Sequence, residues 1–425
     1  MRVRAGETQG ASRTAGQVTE AVLQAAGPDE QAGGGRGLAV WLALLLGFSG
    51  AGCSNDDIVV NISGLDPEVR SLQVSASVDG QSLGSAQTVA RTLQQFVVNL
   101  PPGTSGTVDL TVAAMVSPDC QLAEGKAQLS FASGSLRPTV VEVGLSALPA
   151  LWCRLPGVDL RAVWGSSPTD VWVAGAGTPM LHWDDSGSGW QAVAATPGPY
   201  NDLWGSGPDN IFAVGPPGGF ERWNGNSWSR TTLAGTPELV SVFGMGPSDV
   251  WFVGEGGTAL RWNGSSSTAT NTNITTRLSA VWGVASNDVW AAGINGVVLH
   301  WTGSAWTRTL PSPSFGLPIL SLSGTSASDV WGFGGNGVLP HYNGSTWGGG
   351  GNGLPSLASG YDLWAASLNE VWGVGSAASV VRWDGGRWNS VPVPSGVSGT
   401  ALKLWGVGRF IWVVVQGGTL LRFPR

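Results

Sequence analysis

Two patterns of apolar and polar positions divide the chain. From residue 57 to about 148, apolar residues alternate with polar ones in short stretches, as in DIVVNIS, SLQVSASVDG, QQFVVNLPPG, GTVDLTVAAMV, GKAQLSFASG and PTVVEVGLS. Alternation places every second side chain on one face, and Gly, Pro and Asp corners end each run. These stretches therefore predict half-buried antiparallel strands. Six or seven such strands in this length predict a small immunoglobulin-like β-sandwich, without the Cys–Trp–Cys core of antibody domains. Beyond about residue 150 the alternation stops. Neighbours such as Val163–Trp164 and Val171–Trp172–Val173 are apolar together, the pattern of strands buried on both faces.

These runs recur. The second aromatic of each copy stands at Trp172, Phe212, Trp251, Trp290, Trp331, Trp372 and Trp412, in steps of 39 to 41 residues. Eleven residues after each comes another aromatic: Trp183, Trp223, Trp262, Trp301, Tyr342, Trp383 and Phe423. Eight residues before lie Trp164, Trp204, Phe243, Trp282 and Trp364; the fifth copy has Ser323 there, and the last has Trp405 one residue nearer. A fourth aromatic follows a hairpin turn, as in WNGNSW, WTGSAW, YNGSTW and WDGGRW. A forty-residue period of four strand-sized pieces predicts propeller blades, with LRAVWG as strand A, DVWVAG as B, PMLHW as C and WQAV as D. The seventh copy ends at Phe423-Pro-Arg, after strand C. The segment Leu151–Leu155, with Trp152 twelve residues ahead of Trp164, is expected to supply its missing strand. The predicted fold class is all-β: a seven-bladed β-propeller (149–425) closed by an N-terminal strand, after a β-sandwich spacer (54–148) and a leader with signal peptide (1–53).

The run L-x-x-V-W-G…DVW-x-V-G…N-G-x-x-W resembles photosystem II assembly-factor-like and sialidase-type (Asp-box) propeller repeats. Asp384-Gly385-Gly386-Arg387-Trp388 is the nearest match to the D-G-G-x-T-W hairpin of those families; the other copies shorten it. Similar Trp-rich repeats occur in bacterial surface lipoproteins without an assigned activity.

The N-terminus bears on location. Leu38 to Phe48, LAVWLALLLGF, is too short to span a bilayer and suits the apolar core of a signal peptide. Ser49-Gly50-Ala51-Gly52-Cys53 resembles the lipobox of bacterial lipoproteins, with Gly50 where that family prefers Leu. The resemblance implies lipid attachment at Cys53 and an envelope protein. Ser54 and Asn55 in place of an inner-membrane retention Asp point to the outer membrane. Export permits disulfides, so Cys120 and Cys153 are either bridged or two separate buried thiols.

Composition narrows the chemistry. Charged residues are 12 %, the net charge is -7, and there are 66 Gly and 23 Trp. An acidic, charge-poor chain offers no electrostatic footprint for nucleic acid. An acid recurs two residues before the strand-B Trp (Asp170, Asp249, Asp288, Asp329, Glu370). A cation recurs before the strand-C aromatic (His182, Arg222, Arg261, His300, His341, Arg382, Arg422). Repetition around a ring implies a local job in each blade rather than one converging metal site, so no metal and no cofactor are expected. The arginine triad and Tyr–Glu pair of sialidases cannot be placed: the three Tyr are Tyr200, Tyr342 and Tyr361. Paired carboxylates for glycoside hydrolysis are not identifiable either. Function is expected in what varies between copies, the D–A and B–C loops of one face. Candidate contacts are Tyr200, Glu255, Arg277, Asn295, Phe315, Asn336, Tyr361 and Gln416. The expected protein is a non-catalytic, monomeric binder of a protein or polysaccharide of the cell envelope, held to the membrane through its lipid alone. The alternatives are a glycan-cleaving hydrolase or lyase, with clustered acids at the channel mouth, and an assembly factor for an envelope complex, with a broad apolar patch.

Overall fold

Most strands of the repeats are short, three to nine residues, as the frequent Gly corners of the sequence lead one to expect. The structure is a computed structural model. It describes residues 41–43 and 57–425, apart from 102, 133–138, 156, 178, 185–187, 195–197, 216, 310–315 and 356–358. Cys53, most of the apolar run before it and the candidate contact Phe315 lie outside the described residues. Among the described residues there is no α-helix, only 3-10 turns at Glu255–Gly257 and Ile294–Gly296. The chain forms two compact units that meet between Leu148 and Pro149.

In the first unit, Asp57–Ser63 lies between Gln95–Asn99, antiparallel, and Thr139–Gly144, parallel. The short strand Trp41–Ala43 flanks Gln95–Asn99 on its other side. A second set pairs Ser71–Val78 with Gln87–Ala90 and with Ser105–Ser117, which in turn pairs with Cys120–Ala132. The alternating apolar residues do what the pattern requires: Ile58, Val60, Leu72, Val74, Phe96, Val98, Val108, Leu110 and Val112 share one core. The parallel pair corrects the all-antiparallel expectation. Its two strands are far apart in sequence, so the chain has the length a parallel crossover needs.

In the second unit, the first six repeats each fold into one antiparallel sheet in the order A-B-C-D. In the first repeat these strands are Asp159–Ser167, Asp170–Ala176, Met180–Trp183 and Gln191–Val193. In the sixth they are Gly360–Ser367, Glu370–Gly375, Val380–Trp383 and Trp388–Val391. The seventh repeat supplies Ala401–Val407, Phe410–Val415 and Thr419–Pro424. Its strand C then pairs with the start of the unit, Leu151 opposite Arg422 and Arg154 opposite Thr419.

Indole rings hold successive sheets together. Trp172 of the first repeat meets Trp223 and Trp228 of the second at 5.1 and 5.7 Å between ring centres. Trp412 of the last repeat meets Trp183 and Trp190 of the first at 6.2 and 5.6 Å. Trp405 donates from Nε1 to the Gly165 carbonyl at 2.9 Å. A buried Trp removes about 150–250 Å² from water, a gross gain of about 4–6 kcal/mol at about 25 cal/mol/Å². The glycine after the strand-A aromatic follows from the same packing. A Cβ on Gly205 would stand 2.7 Å from the Trp164 ring, and one on Gly244 2.6 Å from Trp204. In these copies the far edge of the indole occupies the space a side chain would need.

Candidate functional site

The repeated acids and cations are spent inside their own sheets. Strands B and C place them opposite one another, so four copies make the same close pair: Asp170–His182 at 2.7 Å, Asp249–Arg261 at 2.8 Å, Asp288–His300 at 2.8 Å and Asp329–His341 at 2.7 Å; in the sixth, Arg382 stands 3.6 Å from Glu370. In the second copy Arg222 donates to Asn210 at 2.7 Å. In the seventh, where Phe410 replaces the acid, the Arg422 guanidinium lies over that ring at 4.2 Å. Each His also stacks on the Trp of its own strand B, His300 on Trp290 at 3.9 Å. Burial opposes ionisation of Asp170 and Asp329. Hydrogen bonds from the facing His, from a nearby hydroxyl (Ser166 or Thr325) and from the indole outweigh it and hold both carboxyls below the usual range. Among the described residues no three of His, Cys, Asp and Glu are grouped to hold a metal. The hairpin acid Asp384 is likewise structural. The Arg387 and Gly386 amides and the Asn389 side chain donate to its carboxylate and lower it to about 2.

A different polar set converges on the axis. Strand A is the innermost strand, and its inner edge has no neighbour, so its backbone N–H groups need other acceptors. Two residues before the strand-A aromatic, several copies carry a polar side chain that meets this need. Asp202 accepts from Ser241 Oγ at 2.9 Å and from the Val242 amide at 3.0 Å. Asp362 accepts from Ser321 Oγ at 2.6 Å and from the Leu404 amide at 2.9 Å. Ser321 Oγ accepts from the Leu363 amide at 3.1 Å. Lys403 of the last copy ion-pairs with Asp202 of the second at 2.9 Å. The equivalent residue of the first copy is the small Ala162. The three charges line an axial cavity of about 270 Å³. Burial works against the charged Lys403 ammonium, but Asp202 and Asp362 outweigh it and hold it above the usual lysine value. Burial pushes the Asp362 carboxyl up; Lys403, Ser321 and the Leu404 amide pull against that shift.

Where strands A begin there is a mouth of about 430 Å³, lined by Asp159, Arg161, Asn201, Arg277, Tyr361, Gln416 and Lys403, the last of which also lines the axial cavity. Arg161 pairs with Asp159 at 2.9 Å, Arg277 with Glu255 at 3.1 Å, and Asn201 donates to Glu238 at 2.7 Å. Both arginine pairs are about two-fifths exposed. The rim is thus close to charge-balanced and rich in donors held in fixed directions, an arrangement suited to binding polar groups.

Of the residues singled out from sequence, Arg277, Tyr361 and Gln416 meet at this mouth, and Glu255 joins through Arg277. Asn295 and Asn336 stand exposed at B–C turns with φ of 62° and 52°, a left-handed conformation that Asn tolerates better than most residues; they do not line the mouth. Tyr200 is a correction. It is fully buried, and its hydroxyl donates to Glu221 at 2.8 Å. Burial and that carboxylate push the phenol well above its ordinary value. Cys120 and Cys153 are each disulfide-bonded. Sequence reasoning missed Asp202, Asp362 and Lys403. The signal was present: aligned two places before the strand-A aromatic, the copies read Ala, Asp, Ser, Ala, Ser, Asp, Lys, polar where a buried strand predicts apolar.

No family model matches the chain, and no curated protein matches it. Solved structures do. YCF48 bound to a D1 peptide matches with a TM-score of 0.53 and 18 % identity over 65 % of this chain and 95 % of its own. YCF48 from Cyanidioschyzon merolae matches at 0.52 and 20 %, covering 64 % and 98 %. Virginiamycin B lyase from Staphylococcus aureus matches at 0.57 and 12 %, covering 65 % and 99 %. At these identities the likeness is one of fold: the chain carries an all-β propeller of repeated four-stranded sheets.

Proposed function

We propose that the second unit is a seven-bladed propeller, its last blade completed by Leu151–Arg154, and that it binds a polypeptide at the channel mouth without transforming it. One observation carries the binding reading. Arg161, Arg277, Tyr361 and Gln416 converge on a single open mouth together with the part-buried Lys403, whereas most of the repeated acids, cations and histidines are consumed by pairs within their own sheets. Tyr361 and Gln416 make no side-chain hydrogen bond among the described residues, so they are available to a ligand. The axial carboxylates Asp202 and Asp362 are held by backbone amides, hydroxyls and Lys403, which suits support better than acid–base work. A peptide partner accords with YCF48, whose propeller was solved with a D1 peptide bound. The same mouth in an envelope assembly factor would serve the same chemistry. We place the protein at the bacterial outer membrane, anchored through lipid on Cys53.

Two experiments test this. Affinity capture from envelope extracts compares the intact protein with an Arg161→Ala/Arg277→Ala/Tyr361→Ala variant. Loss of a protein partner from the variant alone is expected; equal recovery contradicts the mouth as the site, and polysaccharide recovered instead replaces the ligand class. Metabolic labelling with palmitate is expected to mark the wild type and not Cys53→Ser; equal label removes the anchor.

A further inference from the structure

One ring of the strand-A set is missing, and the next repeat is altered to match. Trp164, Trp204, Trp282 and Trp364 each bring an indole against the glycine that follows the next copy's strand-A aromatic position: Gly205, Gly244, Gly324 and Gly406. A Cβ on Gly324, for example, would stand 2.8 Å from Trp282. The fifth copy carries Ser323 in place of the aromatic. The residue that would receive its ring is Ala365, the only copy with a residue other than glycine at that place. Ser323 Oγ instead accepts from the Ala365 amide at 3.0 Å. Both residues line the axial cavity of about 270 Å³, so the cavity is widest in side-chain terms where the repeat omits its ring. Asp362 stands beside this space, since Ser321, on the same strand as Ser323, donates to it at 2.6 Å.

Charge on the cavity wall is unequal. Asp202 and Asp362 face one ammonium, Lys403. Lys403 reaches Asp202 at 2.9 Å and acts on Asp362 only as a nearby charge. Each Asp362 oxygen takes a single hydrogen bond among the described residues, from Ser321 or from the Leu404 amide. Burial still pushes this carboxyl up, as expected of a carboxylate short of counter-charge. Ser279, on the same wall, is 8 % exposed, and its hydroxyl has no partner among the described residues. The indoles of Trp282, Trp364 and Trp405 make much of the remaining wall apolar. A metal ion would need more oxygen ligands than two carboxylates give, and among the described residues no third acid or His joins them. An organic cation uses both features, its charge against the carboxylate and its stem against the rings. We propose that the axial cavity is a binding site for an organic ammonium group on an aliphatic stem, the nitrogen donating to Asp362 and the stem filling the space beside Ser323. Lys403 and Ser279 line both cavity and mouth, which gives the group its way in. A lysine side chain of a partner polypeptide and a free amine share this chemistry. The site does not depend on what the mouth binds.

Calorimetry and saturation-transfer NMR with n-butylammonium test this. Binding by the wild-type protein is expected, without competition from n-butanol, its neutral counterpart. Asp362→Asn keeps an acceptor for the Leu404 amide and is expected to weaken binding roughly tenfold through the lost charged hydrogen bond. Ser323→Trp/Ala365→Gly restores the residues of the other copies and is expected to abolish binding by filling the space. Thermal melts confirm the fold of each variant. Arg161→Ala/Arg277→Ala/Tyr361→Ala is expected to bind the probe as the wild type does; loss there would move the ammonium to the mouth and overturn the axial site. Tighter binding of N-acetyllysine methylamide than of n-butylammonium identifies a lysine side chain as the natural group, and the reverse order a free amine. No binding by wild type, equal binding by Asp362→Asn or by the filled variant, or equal competition by n-butanol would overturn the proposal.

Discussion

Asp329 shows what one side chain does in this molecule. Its carboxylate takes the Trp331 indole at 3.0 Å and His341 at 2.7 Å, so it fixes the ring that packs against the next sheet and the imidazole stacked on that ring. Asp329→Ala strands both donors, and a cost of about 2–3 kcal/mol is expected, read as a lower urea midpoint. Glu370 makes the acid dependence measurable. Arg425, Trp372 and Arg382 overcome its burial and lower it from 4.5 to about 2. A depressed folded-state value means stability that is present above about pH 4.5 and is lost as pH falls toward 2. Glu370→Gln is expected to melt below wild type at pH 7, with the difference vanishing near pH 2. A constant difference across that range would contradict the assignment. A repeated local role was legible, because an acid at one offset in five copies and a cation at another in all seven imply a job done copy by copy. Tyr200 was not: a Tyr after Pro-Gly-Pro reads as a solvated loop, and only the tertiary position of Glu221 shows that it is inside.

At the level of elements, strand B carries the packing and strand A the axis. Trp290 is almost wholly buried between His300, Tyr342 and Trp347. Trp290→Ala is expected to cost about 3–5 kcal/mol by removing a large buried side chain, with a midpoint shift well beyond that of an exposed substitution such as Leu368→Ala. On strand A, Lys403→Met would leave two buried carboxylates without their counter-charge. A loss of about 3 kcal/mol is expected, with Asp202→Asn in the same chain restoring much of it; strictly additive losses would show that the pair is not coupled. Strand order within each repeat could be read from four aromatic marks at constant offsets. The axial residues could not be read so directly, because their job is to satisfy a backbone edge. That edge appears only once the strands are closed around an axis and strand A is known to be innermost.

For the whole molecule, the ends of the second unit matter most. An incomplete seventh repeat and a spare strand before the first were visible as spacing, and the register of Leu151–Arg154 on Thr419–Arg422 gives that spacing its physical meaning. Pairing the first strand of the unit with its last sheet leaves strand C of the seventh repeat no open edge, and that pairing must be lost before the last repeat can come away. The mouth depends on the same closure, because Lys403 and Gln416 come from the last repeat while Arg161 and Asn201 come from the first two. Hydrogen–deuterium exchange tests the closure most directly, comparing the full chain with one that begins at Val158. Slow exchange of the Thr419–Arg422 amides in the full chain, and their deprotection with a lower melting temperature in the shortened one, is the expected result. Equal protection of those amides in both chains would contradict a ring closed by its own N-terminal strand.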